Sequence, residues 1–485
     1  MLKVYNTLSN KKEVFKPVKK GEVGIYTCGP TVYSFAHIGN FRSFIVADII
    51  RRYLEYKNYR VKYVKNITDV GHLTEEDLED KIISAAKKEK KTPQDIAVFY
   101  TKAFLEDEKK LNIKSADVYP RATKHIKEMI ELIKILLKKG YAYEISDGIY
   151  FDVQKFKNYG KLSGNTLNKL KKGKRIESNP EKKHPADFAL WKKAEPSHLM
   201  QWNSPWGKGY PGWHIECSVM AMKYLGKSSQ GEYNRTIDIH TGGEDNIFPH
   251  HENEIAQSEA VSGKRFVKYW VHTRHLLVEG EKMAKSKGNF YTLRDLEKMG
   301  YSPLSFRFLI LTTHYRKKQN FTFEELKQAE RNLEKIRDFV KKISSIKKQA
   351  LSKNKKRFAE ILTLKTKKEF EKAMNDDFNT PKALAKLFYL INKANYLIDN
   401  KKISLTDAED ILKLLKNIDK VFGFIFSPVK KEKIPKEILE LVKQREQYRK
   451  QKNWKKADEI RKKVKEKGYQ IEDTKKGSVI KKLKF

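Results

Sequence analysis

The chain has 485 residues, too long for one core, and should divide into about three or four domains. Hydrophobic residues at 39% and aromatics at 11% suffice for well-filled cores, while no segment approaches the roughly 20 apolar residues that would span a bilayer. Lys+Arg 102 against Asp+Glu 61 gives a formal net charge of +41, which points towards a polyanion, nucleic acid first, although a lysine-rich coding bias would produce the same excess. The first 20 residues lack the hydrophobic region of a signal peptide, so a cytoplasmic location is expected. With only Cys28 and Cys217, a disulfide framework is not expected.

In chain order, 22–26 reads as a short buried strand and a turn through Gly29-Pro30 follows. A helix is predicted over 38–56, with Ile38, Phe41, Ile45 and Ile49 at helical spacing. Residues 60–67 alternate like the next strand. Strand, helix, strand predicts a βαβ unit in a parallel sheet, with ligands at the C-terminal strand ends, where the turns at Cys28 and Thr68-Asp69 fall. From 115 to 185 the pattern changes to a helix near 123–139, strand-like 141–152 and an exposed basic loop at 169–175, read as an insertion. The second half of the sheet resumes near Phe188-Ala189-Leu190-Trp191, with strands at 236–240 and 269–272. Beyond Phe321 the chain is helical and charged to about Gly423. Residues 428–435 read as a linker, and 436–485 as a small α+β unit around Trp454.

The expected architecture is therefore an α/β Rossmann-like parallel-sheet catalytic domain with an insertion, then an α-helical bundle and a small C-terminal α+β domain. The boundaries are 1–114 and 186–275 for the two catalytic halves, 115–185 for the insertion, 276–320 for a loop and stem-contact region, 321–427 for the bundle and 428–485 for the C-terminal unit.

Two segments carry nucleotide chemistry. In Phe35-Ala36-His37-Ile38-Gly39-Asn40 a strand gives way to a helix, whose N-terminus seats phosphate. Gly39 lets a base lie against the backbone, and His37 and Asn40 would donate to phosphates; the same residues equally suit capping and packing. In Glu281-Lys282-Met283-Ala284-Lys285-Ser286-Lys287-Gly288-Asn289, Lys282 and Lys285 suit a loop that stabilises charge on phosphoryl oxygens in transfer. Mg2+ is expected with ATP.

His250-His251-Glu252-Asn253-Glu254 reads as helix, which puts His250 and Glu254 on one face and sends His251 elsewhere. Added to Cys28 and Cys217 they make two thiolates, an imidazole and a carboxylate, a set that suits zinc, though the spacing is not that of a zinc finger. His240 ends a strand at the catalytic face, where it could touch an adenylate; Glu244 or Asp245 could hold ribose hydroxyls.

Together, Cys28-Gly29-Pro30-Thr31-Val32-Tyr33, His37–Asn40, Asn66-Ile67-Thr68-Asp69, Pro185–Lys192, Gly212–Ser218, Phe248–Gln257, Asn375–Pro381 and the Trp454 segment resemble the cysteinyl-tRNA synthetases, within the class I aminoacyl-tRNA synthetases. Residues 35–40 are similar to that class's HIGH motif and 281–289 to its KMSKS loop. The resemblance spans essentially the whole chain. It implies a cysteine–tRNA ligase that activates L-cysteine with ATP and transfers it to tRNA(Cys), with His37, Asn40, Lys282 and Lys285 catalytic. It also implies that His37, Gly39, Asn40, Lys282 and Lys285 bind ATP, that Gly29, Thr68 and Trp213 line the amino-acid pocket, and that Cys28, Cys217, His250 and Glu254 hold one Zn2+ per chain. Zinc would separate cysteine from serine chemically, where shape alone gives only about 10- to 200-fold. The bundle and C-terminal unit would grip the tRNA stem and anticodon, and a monomer is expected. A relative joining cysteine to a sugar amine would need no anticodon-binding region, and 436–485 argues against it.

The chain departs from the family pattern at Asn40 and Ala284, at Val70-Gly71-His72-Leu73 in place of the commoner acidic run, at Lys317–Asn320 in place of Ser-Pro-Leu, and at a tail without tryptophan.

Overall fold

The computed structural model describes all residues except 72–79, 171–178, 227–234, 347–357, 428–434, 475–476 and 483–485. The expected basic loop, the linker and His72-Leu73 of the departure after Asp69 therefore lie largely outside the described residues.

The catalytic sheet is parallel and four-stranded, in the order Val267–Thr273, Ile237–Gly243, Glu22–Thr27, Arg60–Lys65. Successive residues of each strand face opposite sides. Val23, Ile25, Ile239, Tyr269 and Val271 pack into the core under the helix Ile38–Tyr56. Tyr26, Val64 and Trp270 face the helices Ile126–Lys138, Trp213–Ala221 and Glu252–Ser262. The first strand lies between its successor Arg60–Lys65 and the later strand Ile237–Gly243, so the order reverses there, and Cys28 donates its N–H to the Thr241 carbonyl at 3.3 Å across that reversal. Open α/β sheets bind ligands at such a point.

One strand went elsewhere. Phe188–Lys193, expected to resume the parallel sheet, pairs antiparallel with the hairpin Ala142–Ile145/Gly148–Phe151 and with Gly209–Pro211, completing a separate four-stranded sheet. A short apolar run announces a strand but not its partner.

The bundle comprises Phe323–Ser344, Phe358–Asn375, Thr380–Asp399 and Leu405–Phe422. In the first, Leu326, Ala329, Leu333, Ile336, Phe339 and Ile343 make a buried stripe at helical spacing. This stripe belongs to the same apolar core as the helix Ile38–Tyr56 and its side of the sheet. A buried polar network reaches across the junction too. Asp48, buried on that helix, accepts from Arg52 Nε at 2.7 Å and Arg307 Nη2 at 2.6 Å, and Arg307 Nε reaches the Phe422 carbonyl at 2.7 Å. The C-terminal unit has its own small core of Ile438, Val442, Ile460, Val464 and Ile471, formed by Lys436–Lys450, Trp454–Glu466 and the hairpin Tyr469–Thr474/Gly477–Lys482. There Arg445 grips Asp473 with two parallel hydrogen bonds, both 2.8 Å.

Candidate active site

His37 stands at the N-cap of Ile38–Tyr56. Its Nδ1 accepts from the Asn40 N–H at 3.2 Å, and Asn40 Oδ1 accepts from the His37 N–H at 3.1 Å, a reciprocal capping box. Capping and phosphate binding are thus both open to this pair: the box fixes the turn while the following helix N-terminus faces a cavity of about 300 Å³. His37 and Asn40 line that cavity with Tyr33, Phe35, Trp213 and Phe290, and the helices Lys81–Glu89 and Pro93–Lys110 supply Lys81, Tyr100 and Phe104. These last three were not singled out from sequence; the only signal was the acidic run preceding Lys81.

The lysine loop leaves the strand pair Leu276–Val278/Glu281–Lys282. Asn289 closes it from within, accepting the Ala284 N–H at 2.9 Å and donating to the Lys282 carbonyl at 3.3 Å. Lys282 is exposed on the short strand, and Lys285 begins a 3-10 turn, Lys285–Lys287. The chain beyond it returns to the capping turn: Ile38 donates to the Tyr291 carbonyl at 2.9 Å, His37 bridges to Thr292, and the His37 and Phe290 rings meet edge-on at 5.2 Å.

Behind the cavity four predicted donors converge. In the group Cys28, Cys217, His250 and Glu254 all ligand atoms lie within 4.8 Å of one another. The two sulfurs are 3.8 Å apart, Cys28 Sγ is 3.6 Å from Glu254 Oε1, and His250 Nε2 is 3.1 Å from the same oxygen. Donors at about 2.0–2.3 Å from a tetrahedral ion stand about 3.3–3.8 Å apart, so the donor set suits zinc in chemistry and two of these three separations fall in that range. Electrostatics agree. Burial disfavours a charged His250, yet Cys217 and Glu254 beside it bring its pKa up to about 10. Burial likewise works against the Glu254 carboxylate, but His240 and His250 hold it down to about 2. The cluster draws positive charge.

His251 also faces this cluster, against expectation: its Nε2 lies 3.4 Å from Cys28 Sγ, while Nδ1 meets His272 at 2.7 Å. A regular helix was assumed for the whole segment, but Phe248 is extended (φ −141, ψ 134) and Ile247–His251 forms a wider turn before Glu252. Cys28, His240, His251 and Glu254 thereby form a second, overlapping donor group. His240, expected near an adenylate, is completely buried, and its Nε2 meets Glu254 Oε2 at 3.1 Å from behind. It orients a predicted ligand rather than lining the cavity.

Gly29 donates to Asn66 Oδ1 at 2.8 Å, and any β-carbon there would stand 1.6 Å from the Asn66 carbonyl oxygen. Thr68 is buried beside it, linked to Asn66 at 3.0 Å and Glu216 at 3.3 Å. Trp213 spans both regions, lining the cavity while its ring lies 4.6 Å from that of His250. Glu244 is engaged by Arg274, at 2.5 Å, and by His275; Asp245 is exposed.

Residues 14–331 match the family model described as the tRNA synthetases class I (C) catalytic domain, 369–427 a DALR domain, and 431–478 the cysteinyl-tRNA ligase anticodon binding domain. A cysteine–tRNA ligase of Thermococcus onnurineus is 45% identical over 490 residues, covering 99% of each chain. One of Pyrococcus abyssi is 46% identical over 491 residues, covering 100% of this chain and 99% of its own.

The chain belongs to the cysteine–tRNA ligase family.

It is accordingly an aminoacyl-tRNA ligase of class I, a class whose substrates are ATP, an amino acid and tRNA. A methionyl-tRNA synthetase of Mycobacterium tuberculosis, in complex with methionyl-adenylate, superposes with a TM-score of 0.60 at 14% identity, covering 83% of this chain and 90% of that one, a likeness of fold alone. Among the described residues no helix is long and apolar enough to cross a membrane.

Proposed function

We propose that this cysteine–tRNA ligase is zinc-dependent: it activates L-cysteine with ATP to cysteinyl-adenylate and transfers the cysteinyl group to the 3′ end of tRNA(Cys). The observation that carries the reading is the meeting of Cys28, Cys217, His250 and Glu254 behind a cavity whose other wall is the His37 turn, with Trp213 between. When bound there, zinc supplies a soft Lewis acid that favours the sulfur of cysteine over the hydroxyl of serine.

The rest is the work of side chains and backbone. Gly29, Thr68 and Trp213 hold the amino acid with its carboxylate towards the cavity. Gly39 leaves room for the adenine, while His37, Asn40 and the helix N-terminus direct N–H groups at the phosphates. The carboxylate oxygen bonds to the α-phosphorus as the bond to pyrophosphate breaks. Lys282 and Lys285, with Mg2+ on the triphosphate, stabilise the charge that builds on the phosphoryl oxygens. A terminal ribose hydroxyl of the tRNA then attacks the adenylate's carbonyl and AMP departs. Exposed Trp454 and the lysines around it suit stacking on unpaired anticodon bases. A cytoplasmic monomer completes the proposal.

Cysteine-dependent ATP–pyrophosphate exchange, with serine as control and with zinc removed and restored, tests it. Exchange with cysteine alone, lost with the metal and regained with it, is expected. Exchange that survives complete zinc removal with full cysteine selectivity overturns the metal's role, and no exchange by folded, metal-replete protein overturns the activation step.

A further inference from the structure

The lysine loop's downstream end carries a residue that no motif claims. Arg294 lies in the first turn of the helix Leu293–Lys298, whose start is fixed by a capping box between Thr292 and Asp295. Its guanidinium carbon stands 4.7 Å over the ring of Phe35, two residues before His37. The same group donates to Asp107 Oδ2 at 3.4 Å, to Glu106 Oε2 at 3.2 Å and to the Ala103 carbonyl at 3.3 Å, all on Pro93–Lys110, the helix that walls the cavity with Tyr100 and Phe104. Phe35 is itself edge-on to Tyr100 at 5.1 Å. Lys110 adds a second tie, to Glu297, at 2.7 Å.

We infer that Arg294 is a positioning residue for adenylation, locking the anchor of the lysine loop to the His37 turn and to the cavity-wall helix at once. The inference rests on the reading of 281–289 as a loop that acts on ATP. A planar guanidinium is suited to this: its face stacks on an aromatic ring while its edge donates in a fork, which an ammonium cannot do together. The anchor is otherwise held to the turn by backbone contacts at Tyr291 and Thr292 and by Phe290, so loss of Arg294 leaves the fold tied but the loop's approach loosened. Misplacement on the order of 1 Å costs about 100-fold in rate.

The test is pyrophosphate exchange on the full-length, zinc-loaded protein. Arg294→Met is expected to lower kcat by about 10- to 100-fold while KM for cysteine and the zinc content stay as in the parent. Arg294→Lys should fail to restore the rate, and Phe35→Leu combined with Arg294→Met should cost less than the sum of the two separately. If Arg294→Met does not fold, Glu106→Gln reads the same coupling from the partner side. An unchanged kcat, a loss matched by an equal rise in KM for cysteine, or full rescue by lysine overturns the inference. Lys282→Ala and Lys285→Ala separate the two failures. If they retain full exchange, the loop's role on ATP is wrong; if they lose it while Arg294→Met does not, only the inference about Arg294 falls.

Discussion

The terminal methyl of Met283 lies 2.5 Å from the point that a β-carbon on Gly39 would occupy. The two signature segments therefore meet across the one position where the helix start has no side chain. That space is where a nucleotide base is expected to lie against the backbone. In this structure the methionine of the lysine loop covers it, so ATP and Met283 contend for the same surface.

Gly39→Ala should consequently separate stability from ATP binding. Gly39 is the second residue of its helix, where alanine gains less than the ~1 kcal/mol it gains over glycine in a helix interior. Its β-carbon would also crowd the His37 ring at 3.0 Å and displace Met283. Crowding of this kind costs about 1–3 kcal/mol; where ATP rather than the fold bears it, KM for ATP rises about 5- to 150-fold. Melting and exchange kinetics on one preparation check both halves; an unchanged KM would show that the base does not use this face.

Cys217→Ser replaces one soft donor by a hydroxyl that stays protonated. Zinc content after dialysis should fall well below that of the parent, and cysteine-dependent exchange with it. Retention of the metal would remove Cys217 from the ligand set.

Asp48 provides a pH-dependent test remote from the chemistry. Burial would raise its carboxyl, but Arg307 and Arg52 outweigh that and hold it below the usual carboxylate range. A depressed folded-state pKa gives stability that is fully present above the unfolded value of about 3.9 and is lost as pH falls through the folded one. Asp48→Asn leaves two guanidiniums facing a neutral amide and should cost about 3–5 kcal/mol at neutral pH. Denaturant titrations should show the gap between parent and variant narrowing only below about pH 4; a pH-independent gap would assign the loss to packing.

Trp454 is 58% exposed at the first turn of its helix and so stands outside the small core of its unit. Trp454→Ala should leave pyrophosphate exchange and melting unchanged and raise KM for tRNA in aminoacylation. Stacking on a base is worth about 1–3 kcal/mol, or about 5- to 150-fold. Equal KM values would place anticodon contact elsewhere on the unit.

What the sequence made legible follows from how local each signal is. The strand Glu22–Thr27 and the helix Ile38–Tyr56 are set by their own residue patterns, and the βαβ unit follows. The four donors around Cys28 were readable because thiols and a paired His and Glu are scarce, even though distance in sequence hid how they meet. Tertiary choices were not readable. Nothing in Phe188–Lys193 says which sheet it joins. The direction of His251 depends on a break at Phe248 that helical spacing ignores. Lys81, Tyr100 and Phe104 reach the cavity because two helices fold over it, and their residue types are ordinary for amphipathic surface helices.

The apolar core shared by the catalytic sheet and the bundle sets what recombination can do with this chain. A crossover near residue 321 would split a single interior and strand Asp48 from Arg307's partner carbonyl at Phe422, so the two parts must be inherited as a unit. The C-terminal unit brings its own interior and its own Arg445–Asp473 clasp. With its own interior, it can be removed or exchanged without opening the core that the sheet and the bundle share.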